Sequence, residues 1–383
     1  MSALAAKLRA LIRAGGPISV AQYMAICLGD PEHGYYRTTE PFGRGGDFIT
    51  APEVSQMFGE LIGAWTVATW EAMGAPERFV LAELGPGRGT LIADLLRAAR
   101  VRPAFLAAAE VHLVETSRRL RAVQRETLRD VATAWHDDDA TLPDGPLIAV
   151  ANEFFDALPV HQFVRTKSGW AERMVGLGGD GELVFGLGPV VADPHPHPSS
   201  SSGEARPKPE DDEKRTLRAA LNVGAAVVET SPAAQAIMQA LAARIAAQRG
   251  AALVIDYGYE GPAAGDTLQA VRKHRYDDLL AHPGEADLTA HVDFGALRRA
   301  AEAAGARAGP LLTQGEFLGR LGLIERTERL ARGKDEATAA AIAEAARRLA
   351  GLEAMGDLFK AMAISQPGLA LPIFGEHPRG EGE

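Results

Sequence analysis

The stretch Leu81-Ala82-Glu83-Leu84-Gly85-Pro86-Gly87-Arg88-Gly89-Thr90 decides the fold. It begins as an apolar strand, turns through three glycines and enters a helix expected over Leu91 to Ala99. Glycine lets the backbone bend sharply and admits a ligand without a Cβ atom in its path. Outward from this stretch, short apolar runs bounded by Gly, Pro and acids alternate with helical patterns. The runs are Phe79 to Leu84, Val111 to Glu115, Val131 to His136, Leu147 to Asn152 and Ala252 to Tyr257. Such alternation predicts an α/β protein with a Rossmann-like parallel sheet and helices on both faces. Ligands in that architecture sit beyond the carboxyl ends of the strands.

A dinucleotide fingerprint needs its third glycine three positions after the second, and Thr90 stands there. That spacing excludes a NAD-dependent oxidoreductase. The pattern Gly85-x-Gly87-x-Gly89, with Glu83 two residues earlier, suits a loop packed against an uncharged nucleoside joined to an amino acid, and S-adenosylmethionine is the ligand of that description. A strand-to-helix turn of purely structural purpose is the alternative. Glu115 closes the second run, where a carboxylate accepts both ribose hydroxyl protons. Asp137 and Asp138 follow the third run and offer an oxygen to the adenine amino group, whereas Asp139 reads as part of a solvated turn. These features occur in the right order at the right strand ends.

The fourth run ends in Ala151-Asn152-Glu153-Phe154-Phe155-Asp156-Ala157-Leu158-Pro159. Two carboxylates and an amide among aromatics suit a nitrogen-type methyl acceptor, because carboxylates orient a guanidinium by paired hydrogen bonds and take its proton. Alternatively, Asn152 and Asp156 cap a following helix and the phenylalanines belong to the core. Asp256 and Tyr257 face the same cleft or pack beside it.

The chain of 383 residues has 40 Lys plus Arg against 50 Asp plus Glu, a net charge of −10. That balance argues against nucleic-acid and anionic-membrane partners, which are usually met by basic surfaces. The one cysteine, Cys27, sits in an apolar stretch and reads as a buried structural residue. No apolar run reaches the ~18 residues that cross a bilayer. Residues 1 to 29 carry Lys7, Arg9 and Arg13 without an acid, as transit peptides do, but a helix over Ala3 to Ala14 followed by Ser19 as the N-cap of another reads as structure. The pattern divides into an N-terminal helical cap with a glycine-rich loop (1–76), a first part of the core (77–157), an insertion with a hairpin over Gly176 to Gly188 and a Pro/Ser-rich loop (158–216), a second part of the core (217–310) and a C-terminal helical region (311–383). A long helix is expected over Val54 to Met73. His195 and His197 lack the further ligands a metal site needs, so no metal is expected.

The sequence resembles the MidA-type family of class I S-adenosylmethionine-dependent methyltransferases, whose mitochondrial members are protein arginine methyltransferases required for respiratory complex I assembly. The resemblance rests on Asp30-Pro-Glu-His-Gly-Tyr-Tyr36, Gly46-Asp-Phe-Ile-Thr-Ala-Pro-Glu53, Phe58-Gly-Glu60, Glu83 to Thr90, Leu113 to Ser117, Asn152 to Pro159, Ile255 to Gly258, Asp287-Leu-Thr-Ala-His-Val-Asp-Phe294 and Gln314-Gly. It implies a class I methyltransferase sheet with an N-terminal cap and inserted elements over the cofactor cleft. Gly85, Gly87, Gly89 and Glu115 would then bind S-adenosylmethionine with Asp137, Asp138, Asn152 and Thr50 near it, the loop from Asp47 to Glu53 helping to close the site. Glu153 and Asp156 would orient the acceptor, with His291, Glu53 and Glu60 as further candidates. The expected partner is a protein, with a respiratory complex subunit in view and a homodimer left open. The expected compartment is the bacterial cytoplasm, or the mitochondrial matrix should the chain be eukaryotic. A binding factor without turnover and a small-molecule methyltransferase are the competing readings.

Overall fold

The computed structural model describes residues 2–38, 50–191, 226–261 and 265–375. Most of the glycine-rich loop, the 193–214 stretch with His195 and His197, and the tail from residue 376 lie outside them. Along its main path the central sheet has seven strands, β1 (Phe79–Leu84), β2 (Ala109–Val114), β3 (Thr133–His136), β4 (Leu147–Asn152), β5 (Gly250–Tyr259), β6 (Arg307–Ala308) and β7 (Phe359–Ser365). The spatial order is β6-β7-β5-β4-β1-β2-β3, with Val292–Asp293 added beside β5 and Leu312–Thr313 beside β7. Strands β1 to β5 pair in parallel as the alternating pattern predicts, and their ends line up. Leu84 sits beside both Val114 and Ala151, Val114 beside His136, and Asn152 beside Ile255. The residues that follow each strand therefore emerge along one edge.

Strand β7 runs antiparallel to β5 and β6, although the 311–383 region reads as helical from sequence. Ala361 and Ala363 pack into the core on one face of the sheet, Met362 and Ile364 into the core on the other. A run buried on both faces has no alternation to read, so periodicity cannot separate it from a buried helix. The first face carries the helix Gln56–Ala72 and the helix Thr90–Ala98, and the second the helices Pro232–Gln248 and Phe294–Ala303.

The two N-terminal helices form as read. Ser2 caps α1 (Ala3–Gly15), and Ser19 with Gln22 makes a capping box for α2 (Val20–Gly29). A single turn of helix, α3 (Tyr35–Thr38), follows. The helix expected over Val54 to Met73 is broken: Ser55 is extended, ending α4 (Ala51–Val54) and capping α5 (Gln56–Ala72) through Met57 N. The hairpin of the insertion is present as Gly169–Leu177 paired with Leu183–Val191. It belongs to a second sheet that also takes in Ile18–Ser19, His161–Thr166 and Val227–Thr230, fastening the cap to the insertion.

Candidate active site

The glycine loop leaves β1 with Gly85 N donating to Val114 O at 3.0 Å and closes a turn by Gly89 N donating to Pro86 O at 2.7 Å. Gly85, Gly87 and Gly89 have φ of 65°, 53° and 78°, a region costly for residues with a Cβ. A Cβ on Gly85 would lie 2.8 Å from the Phe154 ring. Gln124, fully buried, braces the loop by donating to Gly87 O at 2.7 Å, and its own carbonyl accepts from Trp135 Nε1 at 2.9 Å. Beneath the loop, Glu83 accepts from Ile92 N at the start of the next helix. Its Oε2 is buried without a partner, and burial pushes its carboxyl up to about 8.

Glu115 follows β2 directly. It is buried, accepting from Ser117 N at 2.6 Å through one oxygen and from Gln124 Nε2 at 3.3 Å through the other. Burial raises its proton affinity. A carboxylate can accept about four hydrogen bonds, so lone pairs remain for a diol. Asp137 and Asp138 are exposed after β3; the first pairs with Arg121 at 2.6 Å and the second caps Ala140 N at 2.9 Å.

No helix follows β4, so Asn152 and Asp156 do not cap one; the chain turns through 153–160 into the strand His161–Thr166. Phe155 belongs to the core and meets the partly buried Phe154 edge-on, ring centres 5.2 Å apart. The loop is held by Asp256 of β5, fully buried, which accepts from Phe155 N at 3.0 Å, Asp156 N at 3.2 Å and Tyr257 N at 3.0 Å. Glu153 has φ of 51° and accepts through Oε1 from Ala51 N at 3.1 Å and Asn152 Nδ2 at 3.0 Å. Asn152 Oδ1 is buried and unpartnered. Burial pushes Glu153 up to about 7, helped by the nearby Asp156 charge, and Asp156 up to about 6. Asp256 is raised further, by burial and by repulsion from Asp156 and Glu153.

Around these acids, Tyr257 lies beside Asp156 and Thr289, its hydroxyl short of hydrogen-bond geometry with either. His291 meets the Tyr257 ring edge-on at 5.3 Å, and burial lowers its proton affinity, keeping it neutral near pH 7. Thr50 starts α4, one residue before the amide bound by Glu153, and makes no side-chain cap. Glu53 accepts from Thr90 Oγ1 at 2.6 Å and pairs with Arg88 at 3.7 Å, tying α4 to the glycine loop. Glu60 is engaged away from the acids, by Arg97 at 2.9 Å and Arg326 at 2.6 Å.

The structure thus gathers Glu153, Asp156, Asp256, Tyr257 and His291 next to the glycine loop, with Glu115 on the neighbouring strand end. Buried oxygens without partners on Glu83 and Asn152, and glycines in conformations a Cβ would strain, fit the expected nucleoside. Sequence reading missed Gln124, which lies inside a helix, and assigned no role to Tyr36 or Asp287. The one available signal for those two was their place in the quoted segments Asp30 to Tyr36 and Asp287 to Phe294.

A family profile described as S-adenosyl-L-methionine-dependent methyltransferase matches residues 61–311. The chain is 36% identical over 380 residues to the mitochondrial protein arginine methyltransferase NDUFAF7 of Xenopus tropicalis, spanning 92% of this chain and 83% of that one. The Homo sapiens protein of the same name is 37% identical over 340 residues, spanning 82% and 72%. A crystal structure of a Burkholderia thailandensis protein bound to S-adenosyl-homocysteine superposes with a TM-score of 0.77 at 32% identity, over 99% of this chain and 96% of that one.

Proposed function

We propose that this chain, which belongs to the MidA-type family of S-adenosyl-L-methionine-dependent methyltransferases, methylates an arginine nitrogen of a partner protein. The observation that carries the acceptor is the cluster Glu153, Asp156 and Asp256, none of which pairs with Lys or Arg among the described residues. Buried carboxylates without a counter-charge cost several kcal/mol each, and a guanidinium offsets that through paired charge-assisted hydrogen bonds. The names of the NDUFAF7 relatives support the same acceptor.

The cofactor, when bound, supplies a methyl group on a positively charged sulfur. In this reading Gly85, Gly87 and Gly89 present backbone to it and Glu115 holds its ribose hydroxyls, while Asp137, Asp138, Asn152 and Thr50 complete the surroundings. Asp156, ionised above about pH 6, orients the guanidinium. Glu153, poised at about 7, takes the proton that the methylated nitrogen sheds. His291, held neutral, is the other group able to receive it. Phe154 and Tyr257 keep water from the reacting atoms, so most of the rate comes from alignment.

The partner in this proposal is a respiratory complex subunit and the compartment a bacterial cytoplasm. A net charge of −10 supports a protein acceptor over nucleic acid. No helix among the described residues is long and apolar enough to cross a membrane. The test is incubation with labelled S-adenosylmethionine and an extract of cells lacking this protein, followed by mass spectrometry. Methylarginine in a discrete protein, absent with Asp156→Asn, is expected. Label confined to a small molecule overturns the assignment, and no label at all favours a binding factor without turnover.

A further inference from the structure

Tyr36 has no part in the chemistry above, yet it touches both halves of the site. Its carbonyl accepts the Ser117 hydroxyl at 2.8 Å, and Arg37 beside it donates to the Thr116 carbonyl. The short helix α3 is thereby fastened to the loop that starts at Glu115, whose Oε1 accepts Ser117 N. At its other end the Tyr36 hydroxyl donates to Asp287 Oδ1 at 3.1 Å. Asp287 is a buried carboxylate opening the strand Asp287–Thr289, and the next amide, Ala290 N, donates to the Asp156 carbonyl at 3.0 Å. The Tyr36 ring stands edge-on to Tyr35, centres 5.3 Å apart, which fixes its direction.

We propose that Tyr36 is a positioning residue that couples occupancy of the Glu115 loop to the placement of the segment from Asp287 to Ala290, whose last amide holds the Asp156 carbonyl, so that the acceptor carboxylates are set once the nucleoside is seated. A nucleoside diol on Glu115 steadies residues 115–117. Ser117 then holds the Tyr36 carbonyl, and the Tyr36 hydroxyl holds Asp287. By linkage the coupling is reciprocal, so an acceptor that orders Asp287 tightens the nucleoside by the same factor. The inference rests on the cofactor part of the reading above and not on the identity of the acceptor.

The test is amide hydrogen exchange with and without saturating S-adenosyl-homocysteine, saturation being checked by calorimetry for each protein. In the unmodified chain the ligand should slow exchange at residues 113–117 and, on the order of threefold or more, at 287–290. Tyr36→Phe keeps the ring and the carbonyl but loses the hydroxyl, so slowing should persist at 113–117 and vanish at 287–290. Asp287→Leu should behave like Tyr36→Phe. Asp287→Asn, which retains an accepting oxygen, should behave like the unmodified chain. Undiminished slowing at 287–290 in Tyr36→Phe, or none there in the saturated unmodified chain, overturns the proposal. Intact coupling in a protein that labels no arginine would remove the acceptor assignment alone.

Discussion

Glu153→Gln should stabilise the protein free of ligand while removing the proposed proton acceptor, and the gain should depend on pH. In the folded chain the Glu153 carboxyl is raised from its ordinary 4.5 to about 7 by burial and by Asp156. A group whose proton affinity rises on folding stabilises the protonated fold and opposes folding once it must ionise. The penalty is therefore small below pH 4.5, grows between 4.5 and about 7, and is complete above that. At about 1.36 kcal/mol per decade of proton affinity, the penalty is roughly 3 kcal/mol at about pH 8 and under about 1 kcal/mol at about pH 5. Glutamine keeps an oxygen for Ala51 N and Asn152 Nδ2 and carries no charge, so it removes the penalty and leaves those bonds. With an unfolding entropy of roughly 2.1 cal/mol/K per residue, 383 residues give about 0.8 kcal/mol/K. The melting temperature should thus rise by about 4 °C at about pH 8 and by about 1 °C or less at about pH 5. Circular dichroism melts of both proteins at the two pH values are the assay. Equal gains at both, or a loss at the higher pH, would show that Glu153 is not a buried carboxyl held against its charge.

Gly87→Val places a β-branched residue at φ of 53°, strained by about 1 to 3 kcal/mol and, in the proposed site, set against the ligand, and calorimetry should show no S-adenosylmethionine binding. On the proposed ribose role of Glu115, Glu115→Ala would remove two charge-assisted bonds, and the dissociation constant should rise by on the order of 100-fold; an unchanged value places the ribose elsewhere. Glu60→Ala takes the carboxylate partner from Arg326 and leaves Arg97 with Asp94 alone, and should cost about 1 to 2 kcal/mol in urea unfolding with cofactor affinity intact. Lost methyl transfer at undiminished stability would instead make Glu60 an acceptor group.

Much of the sheet was legible because its strands are short apolar runs cut off by turn residues. Phe79–Leu84 and Leu147–Asn152 agree to the residue. The chain's place in its family was legible from motifs spread along most of its length. Ser55 was read as interior to a helix, since nothing local marks a serine as a break until its hydroxyl is seen capping Met57 N. Asp256 reads from sequence as either cleft or packing, and the structure shows a wholly buried carboxylate that carries the backbone of the acidic loop.

The amino-acid order alone determined the glycine bend, the alternation of strand and helix, and which residue types close each strand, because these depend on backbone sterics and on periods of two and 3.6 within a few neighbours. Only the tertiary structure decided which of those residues meet. The parallel register carries the strand ends to one edge, and β7 closes the sheet by inserting antiparallel between β5 and β6. Tyr36 and Asp287, 251 residues apart, touch because the fold brings α3 and the strand Asp287–Thr289 together between the Glu115 and Asp156 loops. Contacts at that separation leave no local pattern, for their stability comes from burying surfaces that do not exist until the chain has folded.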